Sequence, residues 1–360
     1  MNNSIAETLI GWYARHSRDL PWRETTDPYK IWISEVILQQ TRVAQGLDYY
    51  YRFIERFPDI RTLAEAPEDD VLRHWQGLGY YSRARNIHAA AGDIMERFGG
   101  KFPETYEEVR SLKGIGDYTA AAIVSFAYGL PHAAVDGNVY RWLARLFDVD
   151  TPIDSGEGKR YFAELAQELL PDDRAAAFNQ AAMEFGALQC LPKSPDCPSC
   201  PFAGRCLALA RGTVGNRPVK KGKTEVKPRW FNYLVVRCGD AVLLGQRRGK
   251  DIWRNLYEYP LIETERAMDF PELQATEGFR RLFDGAGGIV LRRETAMPRH
   301  ILSHRVIHTV FYDLEVPGFT PAMREKYLVV PEKELDRYAV SRLIDLYREK
   351  SGRSEPEITF

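Results

Sequence analysis

The chain has 360 residues, enough for two domains with substantial cores. Its 44% hydrophobic and 28% charged composition is that of a globular protein, and a formal net charge of −1 supplies no overall basic excess for nucleic acid. Any such partner must be met by local basic patches. No run approaches the roughly 18 apolar residues of a membrane span, and MNNSIAETLIGWYARH lacks the basic-then-apolar layout of a signal peptide.

Residues 1 to about 206 read as mostly helical. Apolar residues recur at helical spacing in IAETLIGWYARH, YKIWISEVILQQTRV, TAAAIVSFAY and NVYRWLARLF. Asp27 followed by Pro28 predicts a capped helix start. Inside YKIWISEVILQQ, Glu35 is flanked by Ile31, Trp32, Ile33, Val36, Ile37 and Leu38, which leave little polar face. Enclosed there, its carboxyl would rise in pKa and suit a general acid at neutral pH.

LKGIGDYTA, residues 112–120, places Gly114 and Gly116 before an alanine-rich helix. Both glycines are expected to permit positive φ and close backbone approach, and Asp117 is expected to cap the helix that follows. The N–H groups at such a helix start form an anion site suited to one DNA phosphate. In AAVDGNVYRWLARL, Asp136 precedes Gly137 and the next helix, where helix-end N–H groups should keep it ionised. One carboxyl held protonated and another held as carboxylate is the division of labour in glycosidic-bond cleavage.

Of five cysteines, four lie in CLPKSPDCPSCPFAGRC: Cys190, Cys197, Cys200 and Cys206, separated by six, two and five residues. Four thiolates can hold zinc or an iron–sulfur cluster. Only the middle pair is close, so the loop of residues 190–206 suits a four-iron cluster better than zinc. Lys193, Arg205 and Arg211 could make this loop a basic finger for phosphates. Cys238 stands alone in an apolar run and reads as a small hydrophobe.

Residues 207–229 carry seven Lys or Arg against one acid, Glu225, and read as an exposed linker. Residues 230–350 read as a second, α+β domain followed by a tail, 351–360. RWFNYLVVRCGDAVLLGQRR suggests two strands turning at Gly239-Asp240, HTVFYDLEV another strand, and SRLIDLYREK a closing helix.

LPWR at 20–23, DPYKIWISEVILQQT at 27–41, GLGYYSRARN at 77–86, LKGIGDYTA, VDGNV at 135–139 and the four-cysteine loop together resemble one family. It is the MutY-type adenine DNA glycosylases, within the helix–hairpin–helix glycosylase superfamily. The resemblance implies a mostly α helix–hairpin–helix catalytic domain, residues 1–206, carrying a 4Fe–4S cluster, and a smaller Nudix-like domain that recognises the lesion. It implies monofunctional removal of adenine mispaired with 8-oxoguanine or guanine, after the adenine is flipped into a pocket. The implied partner is double-stranded DNA with such a mispair, bound by a cytoplasmic, nucleoid-associated monomer.

Carried onto this sequence, the family pattern makes Glu35 the acid, Asp136 the stabiliser of the oxocarbenium-like sugar, Tyr118 their neighbour and Asn138 an orienting group. Trp22, Arg23 and Glu184 fall at pocket positions. Gln40, Thr41, Leu78, Gly79 and Tyr80 fall where the family contacts or wedges DNA, and Lys113, Gly114 and Gly116 where it holds a phosphate. Lys113 departs from the commoner proline. Ser303 and His304 match the loop that reads 8-oxoguanine, while Leu302 replaces a common phenylalanine. Lyases related to the family carry a lysine for Schiff-base chemistry where this chain has Tyr118. The C-terminal domain also lacks the glutamate array that a Nudix hydrolase uses for magnesium.

Overall fold

The computed structural model describes residues 2–222, 226–302 and 304–351. In chain order it contains helices α1 (Asn2–His16), α2 (Pro28–Leu38), α3 (Val43–Arg56), α4 (Ile60–Glu65), α5 (Glu68–His74), α6 (Ser82–Phe98), α7 (Tyr106–Ser111), α8 (Asp117–Tyr128), α9 (Gly137–Leu146), α10 (Gly156–Leu169), α11 (Ala175–Leu188) and α12 (Leu207–Ala210). Strands β1 (Lys227–Cys238), β2 (Ala241–Gln246), β3 (Tyr257–Glu258) and β4 (Leu261–Thr264) lead to α13 (Phe270–Gln274) and α14 (Glu277–Leu282). Then come β5 (Val290–Ile301), β6 (Arg305–Glu315), α15 (Pro321–Lys326), β7 (Leu328–Pro331) and α16 (Arg342–Ser351). Among the described residues, no helix is long and apolar enough to cross a membrane.

The chain divides into two compact units. The first joins the residues up to Glu65 with Asn86–Gly222, and the second joins Ala66–Arg85 with the chain from Lys223 onward. In the first unit, α2 and α8 are apolar on nearly every side and are therefore its central helices. α2 packs on α3 and α8, and α11 packs on α1, α8 and α9. Trp12, Trp142, Phe162, Phe178, Phe185 and Phe202 belong to one hydrophobic core of this unit.

Asp27 caps α2 by accepting from Tyr29 N, with Pro28 in the first turn. The apolar spacing predicted one helix through residue 43, but α2 stops at Leu38. Gln40 takes a left-handed φ of 58° and α3 begins at Val43, which opens the backbone into the site described below. The first part of the expected linker is also folded. α12 and a 3-10 turn at Val214–Asn216 lie in the first unit, where Asp148 pairs with Arg211 and Arg217. The basic residues there are thus partly spent on structure.

In the second unit, β1 runs parallel to β6 and antiparallel to β2 and β4, with β5 on the outer edge of β6. The β1–β2 turn falls at Gly239-Asp240, as the sequence indicates. Alternate side chains of β1 serve two cores. Phe231, Tyr233 and Val235 pack with Leu343, Ile344 and Tyr347 of α16, while Leu234 and Val236 pack with Leu273, Phe279 and Met323 of α13–α15. Cys238 is a half-buried free thiol against the second of these cores.

Residues 66–85 join this unit through named contacts. Tyr257 Oη donates to Asp69 Oδ2 at 3.1 Å, Asn255 donates to Glu68, and Arg85 donates to the Arg254 carbonyl at 2.8 Å. These partners lie far apart in sequence, and no local pattern announces them.

Candidate active site

A cavity of about 880 Å³ opens in the first unit, walled by α2, the turn after it, α8, the start of α9 and α11. Glu35 projects from α2 into its wall and is only 7% exposed. Tyr118, in the first turn of α8, donates its hydroxyl to Glu35 Oε2 at 2.6 Å. The Tyr118 hydroxyl oxygen also lies 3.2 Å from Met183 Sδ. Burial pushes the Glu35 carboxyl up to about 7, although the Tyr118 hydrogen bond pulls it the other way and nearby Asp136 adds to the rise. Glu35 is therefore poised to hold and release a proton near neutrality.

Asp136 caps α9. Its Oδ1 accepts from Asn138 N at 2.9 Å and Val139 N at 2.8 Å, and its Oδ2 accepts from Asn138 Nδ2 at 2.7 Å. The sequence predicted a helix terminus that simply favours the ionised form. Burial instead raises this carboxyl, and the three hydrogen bonds work against that rise. Asp136 and Glu35 both border the cavity, one held by donors and the other by an apolar helix.

Arg141 extends the Asp136 network. Its Nη2 donates to Asn138 Oδ1 at 2.9 Å and its Nε to the Cys190 carbonyl at 2.7 Å. One turn further along α9, buried Arg145 donates to Leu191 O at 2.7 Å and to Cys190 Sγ at 3.4 Å. Helix α9 thus carries Asp136 at its start and grips the cysteine loop from its outer turns.

Cys190, Cys197, Cys200 and Cys206 line one small cavity of about 30 Å³ in that loop. Among the described residues, no three His, Cys, Asp or Glu side chains converge closely enough to hold a single metal ion. Four sulfur donors around a common space, beside the guanidinium of Arg145, have the chemistry to hold a thiolate-bound group.

Trp22 and Arg23 wall the cavity with Glu184, which is fully buried. Arg23 Nη2 lies 2.8 Å and Arg18 Nη2 2.5 Å from Glu184 Oε2. Burial alone would raise the Glu184 carboxyl, but hydrogen bonds from Arg18 and Arg23 hold it at about 2. Its oxygens are committed to these arginines, so Glu184 shapes the pocket through them.

Pocket residues that sequence reasoning passed over include Arg18, Gln180, Met183 and Arg141. Gln180 Oε1 accepts from Tyr13 Oη at 2.8 Å. The signal for two of them was available: Gln180, Met183, Glu184 and Ala187 recur at helical spacing, so placing Glu184 in the pocket brings the others to the same face.

The glycine turn joins α7 to α8. Gly114 has a φ of 78°, and a Cβ there would lie 2.6 Å from Asn86. Gly116, expected to share that freedom, is instead extended at φ −96° and would meet nothing within 4 Å. Asp117 does not cap α8 either. Gly116 occupies the cap position, and Asp117 Oδ1 accepts from Arg110 Nε at 2.6 Å. Lys113 is exposed beside the turn.

Gln40 and Thr41 line the main cavity. In the second unit, Gly79 and Tyr80 are left-handed, with φ of 74° and 47°. Both Leu78 and Tyr80 are wedge positions in the sequence, but only Tyr80 is exposed, at 50%. Leu78 is buried, at 7% exposure. His304 is exposed, and Ser303 lies outside the described residues. His300 and His308 lie against Trp253 and Trp230 respectively, as aromatic neighbours.

Residues 33–171 match the family described as HhH-GPD superfamily base excision DNA repair protein, and residues 232–350 match the NUDIX domain. An adenine DNA glycosylase from Buchnera aphidicola subsp. Baizongia pistaciae is 37% identical over 258 residues, which is 71% of this chain and 72% of that protein. The chain belongs to the adenine DNA glycosylase family. It is accordingly a DNA glycosylase, a hydrolase of base excision repair. The human adenine DNA glycosylase is 40% identical over 213 residues, covering 57% of this chain and 39% of that protein.

Among solved structures, a thermostable thymine-DNA glycosylase superposes with a TM-score of 0.55 at 27% identity, over 58% of this chain and 97% of that one. A trapped endonuclease III–DNA covalent intermediate shares the fold, with a TM-score of 0.52 at 23% identity over 59% of this chain and 98% of that one. These two DNA glycosylase structures share the helical fold that, in this chain, carries Glu35, Tyr118 and Asp136.

Proposed function

We propose that this glycosylase removes adenine mispaired with 8-oxoguanine or guanine in double-stranded DNA, by hydrolysing the N-glycosidic bond without cutting the strand. The observation that carries this reading is Glu35, a buried carboxyl raised to about 7 and facing a cavity that also presents Asp136. The adenine is flipped into the cavity between Trp22, Arg23 and the Gln180 face of α11. Glu35 gives its proton to a ring nitrogen, and the bond from sugar C1′ to the base breaks with its electron pair leaving on the now neutral adenine.

Asp136, as carboxylate, stabilises the oxocarbenium-like sugar or joins C1′ in a transient adduct. Water then adds its hydroxyl to C1′ and returns its proton to Glu35. Asn138 holds Asp136 in place, and Tyr118 fixes the Glu35 oxygen. Tyr118 has no amine, so it offers no route to a Schiff base or to strand cleavage.

DNA is held through its backbone by the turn at Lys113, Gly114 and Gly116, and opened by Gln40, Thr41, Gly79 and Tyr80, with Leu78 at the same turn. Ser303 and His304 read 8-oxoguanine. Cys190, Cys197, Cys200 and Cys206 hold a 4Fe–4S cluster. When bound, it ties the loop into a rigid surface on which Lys193 and Arg205 can meet phosphates. The enzyme works as a cytoplasmic, nucleoid-associated monomer.

Single-turnover base release from an A:8-oxoguanine duplex, with A:G and A:T controls, tests the assignment. Release from A:8-oxoguanine and A:G is expected. Release only from A:T, or from none, overturns it, and efficient borohydride trapping on abasic DNA overturns the monofunctional part.

A further inference from the structure

The turn that carries Tyr80 is conformationally expensive. Gly77, Gly79 and Tyr80 have φ of 96°, 74° and 47°. A tyrosine in that region persists only where its surroundings dictate the backbone. Part of the fastening is local. Trp75 Nε1 donates to Gly79 O at 3.1 Å, and buried Arg83 donates from Nη2 to Leu78 O at 3.3 Å and Gly79 O at 3.2 Å. The Arg83 guanidinium also lies against the rings of Trp75 and Tyr80.

Further fastening comes from the C-terminal part of the same unit. Gln76 Oε1 accepts from Val340 N at 3.2 Å, and Gln76 Nε2 donates to Asp345 Oδ1 at 3.3 Å. Tyr81 Oη accepts from Gly77 N at 3.4 Å and donates to Val340 O at 3.0 Å. The residues immediately flanking Gly77–Tyr80 therefore hold both polar groups of one buried backbone unit. Val340 is itself anchored: it bridges to Tyr257, whose N–H bonds to Ala339 O at 2.8 Å.

We propose that Gln76 and Tyr81 are positioning residues through which the C-terminal sheet domain braces the Tyr80 turn against the thrust of opening the duplex. This rests on the reading above that Tyr80 enters the base stack. Prising a base step apart costs a few kcal/mol, and a turn secured only by its own neighbours would yield part of that by relaxing. The sheet domain thereby has a second task besides reading the opposite base. It supplies the rigid support from which adenine is unstacked.

The test uses Gln76→Glu, Tyr81→Phe and the pair Gln76→Glu/Asp345→Asn in the full chain. Gln76→Glu keeps the acceptor for Val340 N but sets a carboxylate against Asp345, where Arg342 already serves Asp345 and Glu349. In the pair, the new amide can donate back and restore the contact. The readouts are unstacking of 2-aminopurine placed opposite 8-oxoguanine, single-turnover adenine release, and the thermal midpoint.

Gln76→Glu is expected to cut unstacking and release about tenfold, as loss of one charge-assisted hydrogen bond would. Tyr81→Phe should have a smaller effect in the same direction, the pair should recover most of the loss, and the thermal midpoint should change little. Unstacking at the level of the unsubstituted chain in both single variants would overturn the proposal. So would a loss that follows the thermal midpoint and is not rescued by the pair. If the unsubstituted chain unstacks the base but releases no adenine, the assigned chemistry fails, while the unstacking readout still decides the brace.

Discussion

The hydroxyl of Tyr118 lies 2.6 Å from Oε2 of Glu35, joining the first turn of α8 to the middle of α2. Burial raises Glu35 most and this hydrogen bond is the largest influence lowering it, with Asp136 adding to the rise and Arg23 opposing it, to give a balance at about 7. Each side of that balance can be altered separately.

Glu35→Gln removes the transferable proton while keeping the shape. Base release should fall by roughly 10²–10⁴-fold, with DNA affinity retained. In the unsubstituted enzyme, release should decline as pH rises through about 7, where Glu35 loses its proton. A rate profile from pH 5 to 9 checks this, and an unchanged rate in Glu35→Gln would remove Glu35 from the mechanism.

The same group links pH to stability. The Glu35 carboxyl is raised on folding from about 4.5 to about 7. Its full contribution is therefore present below 4.5 and is lost as pH climbs through 7, at a cost of about 3 kcal/mol for burying the charge. Glu35→Gln should be more stable than the unsubstituted chain at pH 8, with the difference vanishing near pH 4. Denaturant unfolding at both pH values reads it directly.

Tyr118→Phe deletes the hydrogen bond that lowers Glu35. The alkaline limb of the rate profile should move to higher pH, while the rate at the optimum drops about tenfold through looser placement of the acid. A limb that stays in place would mean that Tyr118 does not set the Glu35 proton affinity.

Gly114 and Gly116 should separate cleanly. Gly114→Ala meets both a left-handed φ of 78° and Asn86 at 2.6 Å, so a stability loss of about 1–3 kcal/mol is expected, with weaker binding to DNA of any sequence. Gly116→Ala sits in extended backbone with open space and should change stability by less than about 0.5 kcal/mol. Thermal melts and filter binding to unmodified duplex provide the comparison.

Arg141→Gln breaks the link from Asn138 to the Cys190 carbonyl. With Asp136 less firmly oriented, base release should fall about 10-fold to 100-fold while Glu35 keeps its pH limb. An equal loss from Arg145→Gln, which grips the loop without touching Asn138, would point instead to general disruption of the cysteine loop.

The sequence by itself carried the chemistry wherever a residue's meaning is local. Six apolar neighbours announced a desolvated Glu35, an Asp-Gly pair before a helix announced the Asp136 cap, and cysteine spacing announced a shared sulfur site. Tertiary structure decided what depends on groups distant in the chain. Periodicity cannot show α2 ending at Leu38, because the left-handed Gln40 that ends it breaks no apolar pattern. Composition could not tell that Glu184 is bound to two arginines more than 160 residues away, or that Leu78 turns inward. Nor could it assign residues 66–85 to the sheet domain, since hydrogen bonds that place them join Gln76 and Tyr81 to the N–H and carbonyl of one distant residue, Val340. Hydrogen bonds and ion pairs of that kind exist only once the fold brings their ends together.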